Sequence, residues 1–265
     1  MSRPSITPAR AALEAIPAIA VAVAVAAFWQ FAVEHWRIPA YLLPSPARVA
    51  TAFWEKRLAL LQAFGVTTRA ALAGLTAAAV AGTLLAILFS QSRMLRTALY
   101  PYVVFLQTVP IVAIAPLLIT WSGYGERTVI LVSAIIALFP ILSNVTAGLL
   151  ALDANHRDLF RLYRAGRWPT LVRLRLPTAM GHLALGLRIS CGLAVIGAIV
   201  GEFFVGRGGD SPGLGAVMDR WLAMGKTDAL IAAVFLSSLL GLCMFTAIGL
   251  LTDRLLRRYL AGTGD

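Results

Sequence analysis

Residues 128–150 read TVILVSAIIALFPILSNVTAGLL, a run of 23 residues without one charged side chain. As a helix rising 1.5 Å per residue it extends about 35 Å, enough to cross the roughly 30 Å of hydrocarbon in a bilayer. A helix also pairs its own backbone N–H and C=O groups where no water can. Five further runs of this kind lie at about 15–35, 66–89, 98–121, 183–205 and 229–251. The sequence therefore predicts an all-α integral membrane protein of about six transmembrane helices, a single membrane domain over 1–265. Composition agrees: 59% of residues are hydrophobic and 13% charged, where a soluble domain carries about 25% charged residues. Mean hydropathy is +0.81. Arg3 and Arg10 precede the first run as in a signal peptide, but the run is too long and lacks a small-residue cleavage site, so it reads as a retained first span.

The formal net charge is +11, from 23 Lys and Arg against 12 Asp and Glu. In a soluble protein that excess would suggest nucleic acid as a partner. In a membrane protein basic residues gather in cytoplasmic loops, so the excess reads as topology and no nucleic acid is expected. Counted on alternate sides of six spans, Lys and Arg number 13 against eight. The richer side holds an N-terminal segment (1–14), a short turn (90–97), a polar segment (151–182, with Arg157, Arg161, Arg164, Arg167, Arg173 and Arg175) and a tail (252–265). Both termini and 151–182 are expected in the cytoplasm. The other side receives a linker (36–65), a tight turn (122–127) and a Gly-rich loop (206–228).

Little here suits an enzyme. His35, His156 and His182 show no metal-ligand spacing, and Cys191 and Cys243 lie inside apolar runs without a CxxC partner, so neither metal nor disulfide is expected. Gly225-Lys226-Thr227 resembles the end of a phosphate-binding loop, but position 220 is Arg where that loop needs Gly. Glu202 is an acidic residue well within a predicted span, and an ionisable group at that depth is a functional candidate by default. Its bland alternative is a pairing with Arg188 or water. Pro110, Pro116 and Pro140 break the helical ladder of spans three and four, so Pro110, Pro116 and Glu202 are candidates for a translocation path, ordinary kinks being the alternative.

The segment from Asp158 to Pro177 alternates apolar and basic residues at near-helical spacing with a small-residue break at Ala165-Gly166. It reads as two short amphipathic helices meeting at a turn. Leu159, Phe160, Leu162 and Tyr163 are free to bury, and the arginines to face water, a partner or lipid phosphates.

This stretch resembles the cytoplasmic coupling motif of the inner-membrane permeases of binding-protein-dependent ABC importers. Aligned from Leu176-Pro177, Asp158 stands for the motif's Glu, Leu159 and Phe160 for its two alanines, and Arg167-Trp168 for its basic-aromatic pair. Arg164 falls where the family has Gly, so Arg164 or Gly166 marks the turn. Leu43-Pro44-Ser45-Pro46, Thr108-Val109-Pro110, Ala115-Pro116-Leu117, the turn Trp121 to Gly125, Gly186-Leu187-Arg188, Ile196 to Glu202 and Gly213-Leu214-Gly215 continue the likeness in order, in the manner of the nitrate, sulfonate and taurine permeases.

The resemblance implies a permease of the bacterial inner membrane that pairs with a second copy of itself. Two cytoplasmic ABC ATPase subunits would bind through Asp158, Leu159, Phe160, Arg161, Tyr163, Arg164, Ala165, Gly166, Arg167 and Trp168. An extracytoplasmic binding protein would dock near Gly213 and Gly215. No cofactor is expected in this chain, ATP and Mg belonging to the ATPase partner. A stand-alone secondary transporter is the alternative, but it would offer ion-coupling charges in several spans. The run Ala194 to Glu202 is closer to the pyrimidine and vitamin-precursor permeases than to the sulfonate group.

Overall fold

The computed structural model describes residues 8–152, 158–160, 162–205 and 212–261. Its elements are α1 (Pro8–His35), α2 (Pro46–Glu55), α3 (Arg57–Gln91), α4 (Arg93–Thr108), α5 (Ile111–Ser122) and α6 (Glu126–Leu150). They are followed by α7 (Arg167–Val205), α8 (Leu214–Ala223) and α9 (Thr227–Ala261). Among the described residues there is no strand. Among the described residues, four helices are long and apolar enough to cross a membrane, Arg57–Gln91, Glu126–Leu150, Arg167–Val205 and Thr227–Arg257, and five if the α4–α5 pair is one span. The expected first span corresponds to α1, whose described apolar stretch, Ile19–His35, is shorter than these.

Span three, expected over 98–121 with its ladder broken by proline, is interrupted at Pro110. Its two halves, α4 and α5, are bent by 100°. The cause is local: Pro110 supplies no N–H, and its ring excludes helical backbone at the preceding residue, so Val109 is extended (φ −71°, ψ 125°). Pro116 and Pro140 each withhold one N–H from the ladder but end no helix, and α5 and α6 continue through them.

The linker expected over 36–65 is mostly helical. Ser45 caps α2, accepting the Arg48 N–H at 3.5 Å, with Pro46 in the first turn where a missing N–H costs nothing. The loop expected over 206–228 holds α8, and the tail expected from 252 continues α9 to Ala261. Nor does the second half of 151–182 form a separate short helix. From Arg167 the chain runs without a stop into span five, a 39-residue rod, with π-helical turns over Leu171–Arg175. There the Leu176 N–H reaches Leu171 O, five residues back, and the widened turn makes room for Pro177.

The core lies between α3, α6 and α7. Lipid offers no hydrophobic drive between helices, so close backbone approach and interhelical hydrogen bonds must hold them. Gly197 on α7 shows the approach: a Cβ there would stand 2.6 Å from Ser133 Cα on α6. Ser133 Oγ donates to Ala194 O at 2.9 Å, and Ser190 Oγ to Ala137 O at 2.7 Å. Both serines are fully buried.

Candidate functional site

At one end of the α3–α6–α7 core, near the C-terminus of α7, Glu202 is buried, with 4% of its surface exposed. Arg188 is not its partner, contrary to the sequence alternative. Arg188 instead ties α7 to α9, reaching Asp253 at 2.6 Å and Gly249 O at 3.0 Å. Glu202 Oε2 accepts from Thr67 Oγ1 on α3 and from the Gly215 N–H at the start of α8, each at 2.9 Å. Thr67 Oγ1 in turn accepts the Leu214 N–H at 2.8 Å. One carboxylate thus joins three helices and fills the place of an N-cap side chain for α8, which has none of its own. Gly213 and Gly215 are buried against it. A Cβ on Gly213 would lie 2.0 Å from Glu202 Oε1, and one on Gly215 would lie 2.1 Å from Ile199 O. Beside this latch Arg69 grips Glu126 with two hydrogen bonds, 2.7 and 2.9 Å, joining α3 to the start of α6. A cavity of about 680 Å³ opens there between α3 and α8, lined by Gln62, Arg69, Arg220 and Trp221 among others.

Pro110 and Pro116 are exposed, and the polar partners of Glu202 come from α3 and α8 rather than from the α4–α5 elbow. The three residues expected to share one path are thus not joined through any hydrogen bond of Glu202. Thr67 went unsuspected in the sequence. A threonine in an apolar helix ordinarily bonds its own i−4 carbonyl, and Thr67 also does so, to Ala63 O at 3.1 Å.

At the foot of α7 stands the segment Asp158 to Trp168. Asp158, Leu159, Phe160 and Leu162 are helical; Arg161 lies outside the described residues. The helix ends at Tyr163-Arg164, and Arg164 takes φ +48°. The Ala165 N–H returns to Phe160 O at 2.9 Å, the six-to-one bond of a Schellman cap. Arg164 therefore occupies the left-handed position, where glycine avoids a cost of roughly 1–2 kcal/mol. Gly166, at φ −66° and ψ 172°, caps the N-terminus of α7. Arg175 Nη1 binds Ser90 O at 2.7 Å, tying this foot to the end of α3. Phe160 and Ala165 are half-buried, whereas Leu162, Tyr163 and Trp168 are 81%, 77% and 73% exposed.

Residues 78–258 match the family described as binding-protein-dependent transport system inner membrane component. The chain belongs to that family. This permease is 35% identical over 234 residues to the riboflavin transport system permease protein of Chloroflexus aurantiacus, covering 88% of this chain and 85% of the other. To the formylaminopyrimidine transport permease protein of Halalkalibacterium halodurans it is 33% identical over 217 residues, 82% and 85% of the two chains. Its fold is that of a chain in an inward-facing structure of the MetNI methionine ABC transporter, with TM-score 0.63 and 17% identity over 77% of this chain and 98% of that one. The protein is an ABC importer permease, a multi-pass inner-membrane protein and a transport component rather than an enzyme.

Proposed function

We propose that two copies of this permease form the solute path of an importer, each engaging a cytoplasmic ABC ATPase subunit through the 158–168 turn. The reading has six crossings with α1 as the first, lipid around them, and both termini and 151–182 in the cytoplasm. A binding protein delivers solute at the end that carries Gly213 and Gly215. ATP and Mg act in the ATPase partner, and this chain supplies path and lever. The supporting observation is that three large side chains, Leu162, Tyr163 and Trp168, stand exposed in and beside the turn at the foot of the 39-residue rod, among the arginines of that segment. Large apolar side chains gathered in one short segment are what a protein partner covers.

The solute we assign is a planar heterocycle of the pyrimidine or vitamin-precursor class, in line with the run Ala194 to Glu202 and with the two relatives named above. The test is uptake into proteoliposomes carrying the permease, its ATPase and the cognate binding protein. Riboflavin or formylaminopyrimidine should enter only with ATP and the ATPase present. Uptake by the permease alone would make it a secondary transporter, and uptake of taurine or nitrate instead would overturn the solute class.

A further inference from the structure

Where α4 begins and α6 ends, the two helices border an open cleft of about 510 Å³. Arg96 and Tyr100, four residues apart, line it from one face of α4, and Ser143 and Thr146, three apart, from one face of α6. Thr146 is 6% exposed, yet its hydroxyl has no hydrogen-bond partner. Ser143 makes no side-chain hydrogen bond and Arg96 no ion pair among the described residues. Tyr100 packs against Phe89 and Phe139, each ring centroid 6.4 Å away. Ala147 and Leu150 add apolar wall. A buried polar group left unmatched calls for an occupant, and a mostly apolar cleft with a few convergent polar groups is the usual form of a small-molecule site.

We propose that this cleft binds the transported solute on its way out of the path, gripping a planar heterocycle by its carbonyl-bearing edge. The inference rests on the solute class assigned above and gives it a place. Arg96 only donates, so it requires an acceptor such as a ring carbonyl, and the Ser143 and Thr146 hydroxyls can pair with either ring carbonyl or ring N–H. Tyr100, which lines the cleft, adds aromatic wall for a flat ring to pack against. A lipid acyl chain would leave Thr146 unmatched, and an inorganic anion would leave most of the volume empty.

The decisive variant is Thr146→Val, measured in the complete transporter with riboflavin and formylaminopyrimidine as probes. A hydroxyl without a partner contributes nothing to the empty fold, so Tm should hold or rise. Uptake of the transported probe should fall about tenfold, the worth of one hydrogen bond to the solute. Ser143→Cys should react with a charged thiol reagent in inverted vesicles, because a solute path is wet. Uptake within twofold of wild type in Thr146→Val would overturn the site, as would a lowered Tm, which would make Thr146 structural. Reaction of Ser143→Cys with lipid-soluble reagents alone would show that the cleft opens to lipid. Failure of wild type to carry either probe would overturn the solute class and this ligand with it, whereas loss confined to the variant supports the site.

Discussion

Thr67 has one hydroxyl proton and lone pairs to spare, and the fold uses both. It is fully buried, donates toward Glu202 and Ala63, and accepts the Leu214 N–H. Removing the hydroxyl leaves the Leu214 N–H and one interaction of the carboxylate unmatched in a dry place, where each such group costs roughly 1–3 kcal/mol. Thr67→Val, nearly the same shape, should therefore destabilise the purified permease by about 2 kcal/mol or more. Thr67→Ser should recover most of that loss. Thermal unfolding of the two variants reads the difference, and a valine variant that melts with wild type would show that the latch carries no stability. Glu202 drew attention in the sequence because charge at depth is rare, but its partner did not. Nothing in the spacing of Thr67, Glu202 and Gly215 links positions so far apart; only packing brings them together.

At the scale of elements, the apolar runs were legible because the bilayer imposes length and composition on anything that crosses it. The pieces outside that constraint were not. Ser45-Pro46 carried a plain helix-start signal for α2, a capping side chain followed by proline, yet the segment read as linker. The glycines around 213 read as loop, although their role is to let α8 close on Glu202. The α4–α5 elbow was half visible: Pro110 marked a break, but a proline alone does not state the 100° angle that the chain takes there.

The 158–168 turn divides its residues more sharply than the sequence could. Phe160 and Tyr163 read alike as free to bury, but Phe160 is half-buried in its own chain while Tyr163 and Trp168 stand in the open. Tyr163→Ala and Trp168→Ala should each weaken the ATPase contact by roughly 2 kcal/mol or more, since truncated aromatic anchors dominate such interfaces. Arg167→Gln should cost at most about 1 kcal/mol, as exposed ion pairs do. Co-purification of the ATPase with each variant makes the comparison. Full retention in both aromatic variants would move the contact elsewhere.

For the whole molecule the governing dimension is the length of α7. Its 39 residues extend about 58 Å at 1.5 Å per residue, nearly twice the hydrocarbon thickness of about 30 Å. One end carries the 158–168 turn and the other carries Glu202, and between them Gly197, Ser190 and the Ser133 contact fix the rod to α6. Under the proposed function, a push at the foot would reach the latch as a rigid displacement, because a packed helix pair has little compliance. This lever works only if its two ends face opposite compartments with the foot on the ATP side, as the basic asymmetry also implies. Leu162, exposed at the foot, and Met224, exposed just beyond α8, report the two ends. Cys191 is buried, so replacing exposed Cys243 by Ser gives a quiet background. In that background Met224→Cys should react with a membrane-impermeant thiol reagent in intact cells. Leu162→Cys should stay unlabelled until the vesicles are opened or inverted. Labelling of Leu162→Cys in intact cells would reverse the orientation and detach the foot from ATP. Labelling of both from the same side would mean that α7 does not cross at all, and the rod could then carry no force between an ATPase and the far face.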